Sequence, residues 1–268
     1  MRGVTLSLVS LIRAIAISTS LTAHSHSMAP PVHASSAILI QAHSGQILYA
    51  KNVREEWQPA SLTKIMTAWL AIRLGWHQTV VVSTPAENQP GASLGLKAGQ
   101  RIPMSSLVPA MMMASGNDAA YAIGQTVTPQ ESLFVSLMNR TALKWHALGV
   151  HFVNDTGLYA PSQRVTALGM AVICRHAMTN PTFRHIVDLP YAVLPQSTTK
   201  VFFNQNPLIG TYSGAIGIKM GYTPISGENL AGAAVRHGQN LIVILLHDNP
   251  ADVWTDSDAL LSWGFQHY

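Results

Sequence analysis

Strand-forming segments lie near both ends of this 268-residue sequence, and helix-forming segments lie between them. Residues 37–41 and 46–50 flank a short turn that contains Gly45, and this pattern predicts a β-hairpin. Residues 230–235 and 241–246 are also apolar and separated by a turn, so they predict a second hairpin. Strands at both ends predict an α/β chain of the α+β kind, in which the two ends close an antiparallel sheet and a helical lobe is inserted in the middle.

Three further segments have the apolar spacing of helices. Residues 61–74 predict a helix that begins just after Pro59, because proline is favoured at a helix entry. Residues 107–113 predict a buried helix that ends near Ser115. Residues 252–263 predict a closing helix after the second hairpin.

The composition is typical of one folded domain with a large core, because 48% of the residues are hydrophobic. Lys and Arg total 16 against 12 Asp and Glu; without Arg2 and Arg13 of the leader described below, the balance is 14 against 12, a net charge of +2. No basic run interleaved with aromatic residues occurs, so nucleic acid is not an expected partner. The charge predicts at most mild attraction to an anionic polymer.

Residues 1–34 resemble an export signal, with a basic start at Arg2, an apolar stretch through Ala23 and a small-residue cleavage site at 32–34. This pattern predicts a signal peptide over 1–34 and a mature domain over 35–268; a cut after Ala23 is the alternative. We expect no membrane span, because no run of ~20 apolar residues occurs. The expected location is the periplasm or the cell envelope.

The single cysteine, Cys174, excludes an internal disulfide. It lies in an apolar helical pattern, so we interpret it as a buried core residue rather than a nucleophile. The sequence contains no Walker loop, no H-E-x-x-H helix and no G-x-S-x-G elbow. We therefore expect no metal, no nucleotide and no other cofactor.

Three short motifs with reactive side chains follow one another along the chain. Ser61 and Lys64, in an S-x-x-K sequence on a helix, would set a hydroxyl and an amine one turn apart, as a nucleophile with its base. Ser115-Gly116-Asn117 follows a helix, and Lys219-Met220-Gly221 lies in a strand pattern. Alone, the first motif also fits a helix cap with a surface lysine, and the second fits an ordinary turn.

In these motifs and their flanks the chain resembles the penicillin-recognising serine enzymes and, among them, the D-alanyl-D-alanine carboxypeptidase family. The likeness extends from about Ala37 to Phe265. The segments that carry it are 59–68, 95–99, 115–120, 152–158, 204–206, 217–223 and 263–265. The resemblance implies a β-lactamase/transpeptidase-like fold, with a five-stranded antiparallel sheet flanked by helices.

The resemblance implies a serine-type D-Ala-D-Ala carboxypeptidase that acts on peptidoglycan pentapeptides or muropeptides through an acyl-enzyme, with β-lactam antibiotics as inhibitors. Ser61 would be the nucleophile. Lys64 would be the general base once burial, or the neighbouring Lys219, lowers the pKa of its amine from ~10.4. Ser115 would pass the proton to the leaving amine, and Asn117 would orient Lys64 and the substrate backbone.

The resemblance also implies a set of substrate-binding residues along the strand of the third motif. The backbone N–H groups of Ser61 and Tyr222 would bind the oxyanion of the tetrahedral intermediate. Gly221 would let the backbone approach the ligand closely. Because of the two departures described next, capture of the terminal carboxylate of the substrate would fall on Lys219, aided by Thr223 if the strand alternates and sets both residues on one face.

Two departures from the family pattern concern that carboxylate. Met220 stands where the family usually has threonine, and residues 248–261 lack the arginine that commonly precedes the closing helix. Both departures predict weaker or relaxed recognition of a free carboxylate. A peptidoglycan D,D-endopeptidase and a catalytically weak penicillin-binding sensor are therefore alternatives.

A class A β-lactamase is disfavoured, because the glutamate that such enzymes use in deacylation has no counterpart in residues 152–164. Many members of the family carry a C-terminal β-rich domain and an amphipathic anchor. The sequence ends at Tyr268 without either, so we expect no C-terminal anchor domain and no stable membrane anchor after signal cleavage.

Overall fold

A five-stranded antiparallel sheet lies at the centre of the protein, for which a computed structural model describes residues 28–195 and 199–268. The strands are β1 (Ser36–Gln41), β2 (Ile47–Lys51), β3 (Thr79–Val81), β4 (Arg101–Pro103), β5 (Tyr191–Leu194), β6 (Lys200–Phe203), β7 (Ala215–Thr223), β8 (Gly227–Arg236) and β9 (Gln239–Asp248). The central sheet has the order β2-β1-β9-β8-β7. Strand β3 pairs with β4, and β5 pairs with β6, in two small antiparallel sheets.

Most of the helices lie between β2 and β7. The helices are α1 (Lys64–Leu74), α2 (Thr84–Glu87), α3 (Met104–Ala114), α4 (Asn117–Val127), α5 (Glu131–Lys144), α6 (Ala167–Met178), α7 (Pro181–Asp188) and α8 (Val253–His267). We call α1 to α7 the helical lobe. None of the helices in the described part of the chain combines the length and the apolar character that crossing a membrane requires.

The two predicted hairpins are present, and the sheet is closed by both ends of the chain. Strand β1 pairs with β2 and also with β9, where Ser36 lies opposite Leu246. The predicted antiparallel sheet with an inserted helical lobe is therefore confirmed. Cys174 is buried in α6, as predicted. The closing helix α8 extends to His267, beyond the predicted end at residue 263.

Helices cover both faces of the central sheet, and β9 shows how the strands serve two cores. Ile242 and Ile244 pack into the larger core, which they share with the helical lobe. Val243 and Leu245 pack into the smaller core beneath α8. Because successive side chains of a strand point to opposite faces, a strand covered on both sides is apolar throughout.

The helix predicted over 61–74 begins later than expected. Ala60–Thr63 form a 3₁₀ turn, and the α-helix begins at Lys64. Ala60 has a φ of 46°, in the left-handed region that a regular helix of L-residues does not use. Its carbonyl oxygen packs against Gly157, where a Cβ would stand 1.9 Å away. Glycine at 157 thus makes room for the bend just before Ser61.

The predicted leader lies partly outside the described residues. Residues 1–27, with the apolar stretch and the alternative cut after Ala23, are not described. Val32 and Ala34, at the predicted cleavage site, are buried in the smaller core. The Asp256 carboxylate of α8 accepts a hydrogen bond of 3.1 Å from the backbone N–H of Ala34. These contacts favour the upstream cut, and the leader stays a prediction.

Candidate active site

The hydroxyl of Ser61 and the amine of Lys64 face each other at the start of α1. Lys64 Nζ lies 3.0 Å from Ser61 Oγ, within hydrogen-bond distance. Residues three apart share one face of a helix, which is why this spacing brings the two groups together. The Lys64 side chain is fully buried, whereas Ser61 is partly exposed.

Two further hydrogen bonds decide where the lone pair of Lys64 points. Nζ donates to the side-chain oxygen of Asn117 at 2.6 Å and to the backbone carbonyl of Thr156. Both oxygens can only accept. A neutral amine has two N–H groups and one lone pair, so these partners use both N–H groups and leave the lone pair facing the Ser61 hydroxyl. This arrangement can remove the Ser61 proton as the oxygen attacks.

The turn at Ser115–Asn117 connects the second motif to the first. Asn117 Nδ2 donates to the Pro90 carbonyl at 2.7 Å, which directs its oxygen towards Lys64. Ser115 ends α3 with a φ of 62°, so the chain turns sharply before α4 begins at Asn117. Asn117 thereby contacts Lys64, and Ser115 lies beside it, largely buried, at the helix end.

Two buried lysines dominate the electrostatics of the site. Burial lowers the pKa of Lys64 well below its usual range, and the charge of Lys219 lowers it further; Asp155 and Asp118 act in the opposite direction. Burial lowers the pKa of Lys219 to about 8, and Glu228 opposes this shift. A lysine with a lowered pKa supplies the free amine that a general base needs near neutral pH.

Strand β7, at the edge of the sheet, passes beside Ser61. A Cβ on Gly221 would stand 2.6 Å from the backbone nitrogen of Ser61 and 3.1 Å from its Cα. Only glycine permits such an approach. The predicted oxyanion donors, the backbone N–H groups of Ser61 and Tyr222, therefore come from two backbones that meet at Gly221.

Alternation along β7 separates the other predicted residues of the third motif. Lys219 and Thr223 share the strand face of Gly221, whereas Met220 packs against the smaller core on the opposite side. The Thr223 hydroxyl donates to Ser226 Oγ at 2.8 Å and accepts from the Ser226 N–H at 3.0 Å. It would have to leave this turn to bind a carboxylate. Lys219 is thus the main candidate for that contact.

Asn229 is a positioning residue that no motif indicates. Its side chain is fully buried. It donates to the Gln58 carbonyl at 2.9 Å and accepts from the His247 N–H at 2.9 Å. Asn229 thereby ties β8 and β9 to the segment that leads into Ser61. Its partners are backbone atoms, as is the Thr156 carbonyl, and such contacts leave no spacing pattern in a sequence.

The sequence also does not predict a pair of buried carboxyl groups, Glu228 and Asp248. Glu228 lies opposite Asp248 in β9 and opposite Tyr222 in β7. Burial raises the pKa of Glu228 to about 7 and that of Asp248 to about 6. One oxygen of each carboxyl has no hydrogen-bond partner among the described residues. Tyr222 and Met220 alternate onto the same strand face, so these acids lie on the smaller-core side of β7, on the face opposite Lys219.

The chain was compared with protein families and with curated proteins. A family model described as D-alanyl-D-alanine carboxypeptidase matches residues 22–249. D-alanyl-D-alanine carboxypeptidase DacB2 of Mycobacterium tuberculosis is 31% identical over 236 residues, which cover 85% of this chain and 81% of that protein. DacD of Escherichia coli is 32% identical over 254 residues, which cover 89% of this chain but only 65% of that protein.

Solved structures agree with the family match. The crystal structure of a D-alanyl-D-alanine carboxypeptidase from Mycobacterium tuberculosis gives a TM-score of 0.86 at 29% identity, covering 91% of this chain and 96% of that one. The Streptomyces K15 DD-transpeptidase gives a TM-score of 0.84 at 25% identity, covering 90% of this chain and 100% of that one. These neighbours have the serine β-lactamase-like fold, so the fold implied by the resemblance is confirmed.

Proposed function

This chain belongs to the D-alanyl-D-alanine carboxypeptidase family, and on that premise we propose that it hydrolyses the terminal D-Ala-D-Ala bond of peptidoglycan stem peptides. The observation that carries the proposal is the set of three oxygens around Lys64 Nζ; in the neutral amine, Asn117 and Thr156 take both N–H groups and the lone pair is left for the Ser61 hydroxyl. A protein that only bound peptide or penicillin would not need a buried base aimed at a hydroxyl.

In the proposed reaction Ser61 Oγ attacks the carbonyl carbon of the penultimate D-Ala, and Lys64 takes the hydroxyl proton. The oxyanion is bound by the backbone N–H groups of Ser61 and Tyr222. Ser115 passes a proton to the amine of the departing D-Ala. Water, activated by Lys64, then hydrolyses the acyl-enzyme and restores the Ser61 hydroxyl.

Lys219 is the proposed partner of the substrate carboxylate, since a charge-assisted hydrogen bond to a buried ammonium suits a terminal carboxylate. A β-lactam would occupy the same contacts and stop the reaction at the acyl-enzyme. The substrate is a polymer of the cell envelope, so we place the protein outside the cytoplasm, in the periplasm or at the envelope.

A peptidoglycan D,D-endopeptidase is the second candidate. Met220 packs on the smaller-core face of β7, opposite Lys219, and the Thr223 hydroxyl is held by Ser226. Lys219 is therefore left as the main contact for a free carboxylate. A cross-linked peptide, whose corresponding carbonyl is part of a longer chain, needs that contact less.

The acyl-enzyme is tested by the intact mass of the purified protein after incubation with benzylpenicillin. We expect the mass to increase by one penicillin, with the adduct on Ser61, and we expect Ser61→Ala to abolish the increase. An unmodified wild type, or an adduct that survives in Ser61→Ala, contradicts the proposed nucleophile.

The two candidate activities are distinguished by incubating a muropeptide mixture with the protein and analysing the products by mass spectrometry. Loss of a single D-Ala from pentapeptides identifies the carboxypeptidase, and conversion of cross-linked dimers to monomers identifies the endopeptidase. Ser61→Ala serves as the control for both. Absence of both products, with penicillin labelling intact, favours a penicillin-binding sensor.

A further inference from the structure

A buried carboxyl group beneath the active site has no part in the reaction as proposed so far. Asp155 is fully buried, and neither of its side-chain oxygens has a hydrogen-bond partner among the described residues. Its backbone carbonyl accepts a hydrogen bond of 2.7 Å from the Thr67 hydroxyl of α1. On the other side, a Cβ at Gly124 of α4 would stand 2.1 Å from Asp155 Oδ2. The carboxyl is thus held between two helices.

The segment around Asp155 also holds Lys64. The next residue, Thr156, accepts a hydrogen bond from Lys64 Nζ through its carbonyl oxygen. Gly157 packs against the Ala60 carbonyl just before Ser61. Asp155 therefore belongs to a segment that touches both the nucleophile and its base.

Several charged or titratable groups interact with Asp155 and Lys64 from the surrounding elements. Asp155 interacts with Lys64 of α1, Tyr121 of α4 and Glu131 of α5. Lys64 interacts in addition with Lys219 of β7 and Asp118 of α4. The Asp118 carboxylate accepts hydrogen bonds from the Ser93 hydroxyl and from the backbone N–H groups of Leu94 and Leu96.

We propose that Asp155 is a positioning residue that, once ionised, provides the negative charge that stabilises the Lys64 ammonium formed during attack by Ser61. The proposal rests on the proposed role of Lys64 as general base. The ionisation of Asp155 releases its proton to solvent. When Lys64 then takes the proton of Ser61, its new positive charge lies in a buried site beside Lys219. A nearby carboxylate offsets this repulsion.

The charge of Asp155 depends on pH. With no hydrogen-bond partner on either side-chain oxygen among the described residues, burial and, after it, the charge of Glu131 raise the pKa of Asp155 to about 7, against the opposing effect of Lys64. Asp155 is therefore a neutral acid in mildly acidic solution and a carboxylate in mildly alkaline solution. Its ionised form raises the pKa of Lys64 and makes Lys64 a stronger base.

Asp155→Asn tests this inference, because asparagine has the shape of the neutral acid and cannot ionise. The rate constant for acylation by benzylpenicillin is measured from pH 6 to pH 8.5 in both proteins. We expect the ratio of wild type to variant to be near one at pH 6 and to rise to roughly threefold to tenfold at pH 8.5. Taking the ratio cancels the titration of Lys219 and Glu228. A ratio that stays constant over this range overturns the proposal.

Glu131→Gln provides an independent test that does not alter Asp155. Removing the Glu131 charge lowers the pKa of Asp155, so the alkaline rise in rate should begin at lower pH. In an Asp155→Asn background the same change should leave the pH profile where it was. If Glu131→Gln moves the profile equally in both backgrounds, Asp155 does not carry the effect.

Thermal unfolding separates failure of this inference from failure of the proposed function. The folded-state pKa of Asp155 is raised above its unfolded value, so its contribution to stability is complete below pH ~4 and is lost as the pH rises towards 7. The melting temperature of wild type should fall relative to Asp155→Asn over this interval, whether or not the protein is acylated. Parallel melting curves would show that Asp155 does not titrate in the folded protein.

Discussion

Gly221 lies so close to Ser61 that the position of a Cβ on the glycine would be 2.6 Å from the serine nitrogen. That nitrogen is a proposed oxyanion donor, so any side chain at 221 must displace the backbone that the reaction uses. The relationship ties the geometry of the nucleophile to the edge strand of the sheet.

Gly221→Ala should therefore slow acylation strongly. Loss of one oxyanion donor typically costs about 10²- to 10³-fold in rate, and we expect a decrease of this order in the acylation rate constant with benzylpenicillin. Gly210→Ala is the matched control, because a Cβ there has nothing within 4 Å, although its φ of 80° also strains an alanine. If both variants lose stability alike and acylate alike, close approach at Gly221 has no catalytic role.

Lys64→Ala should remain folded and should acylate more slowly by roughly 10³-fold or more, as expected for one member of a cooperating catalytic set. The reason is that no other described group donates or accepts at the Ser61 hydroxyl. Circular dichroism and thermal unfolding check the fold. The acylation rate is measured from reactions with labelled penicillin that are stopped at successive times. Lys97→Ala, which removes a surface lysine paired with Glu87 at 3.1 Å, is the control and should acylate normally. Acylation by Lys64→Ala at the control rate would show that another group serves as base.

Met220→Thr should leave the recognition of a free carboxylate unchanged. Met220 packs against the smaller core, on the face of β7 opposite Lys219 and Gly221, so a threonine hydroxyl there would not reach a carboxylate bound by Lys219. We therefore expect kcat/KM on a D-Ala-D-Ala peptide to stay the same, with a C-terminally amidated peptide as the control substrate. A gain of about 10- to 100-fold on the free acid alone, as a charge-assisted hydrogen bond of roughly 1.5 to 3 kcal/mol would give, contradicts this placement of Met220.

Asn229→Ala should destabilise the protein and slow the chemistry together. It leaves the Gln58 carbonyl and the His247 N–H without their partner, and an unpaired buried group costs about 1 to 3 kcal/mol. We expect the melting temperature to fall by several degrees and acylation to slow by about tenfold, since the segment before Ser61 loses its tie to the sheet. Asn88→Ala, at an exposed helix end, should change neither quantity.

The mature protein should begin upstream of Val32 rather than at Ser35. Val32 and Ala34 are buried in the smaller core, and Asp256, which is 3% exposed, accepts from the Ala34 N–H. A cut after Ala23 keeps these contacts. N-terminal sequencing of the exported protein checks the site, and a chain that starts at Ser35 should melt at a lower temperature than one that starts at residue 24. Equal melting temperatures would show that the segment adds no stability.

The sequence predicts the fold and the contact between Ser61 and Lys64 well, for identifiable reasons. The hairpins and the apolar strands follow from alternation and turn residues, and the pairing of Ser61 with Lys64 follows from helical spacing. The predicted helix start was wrong, because the left-handed Ala60 depends on a tertiary contact with Gly157. Secondary-structure propensity depends on neighbouring residues and therefore cannot predict a contact between residues so distant in sequence.

The polar surroundings of the site could not be predicted for a similar reason. Asn229 forms hydrogen bonds with backbone atoms of two other segments. Asp155 is distinguished by having no hydrogen-bond partner for either side-chain oxygen among the described residues. A sequence shows that a residue is polar but does not show whether its partners are present. Burial decides whether such a group is a surface carboxylate or an internal acid, and burial is a property of the completed fold.

Strand β7 is hydrogen-bonded to the rest of the central sheet through a series of neighbours, since it pairs with β8, which pairs with β9, which pairs with β1. A nascent chain that has emerged only as far as β7 already contains Ser61 and Lys64, but it lacks the two strands that connect β7 to β1. Reactivity towards penicillin should therefore appear late during biosynthesis, when the last strand has been added. A labelled molecule in a cell extract is then one that has finished folding, so the drug would report conformational maturation as well as chemistry.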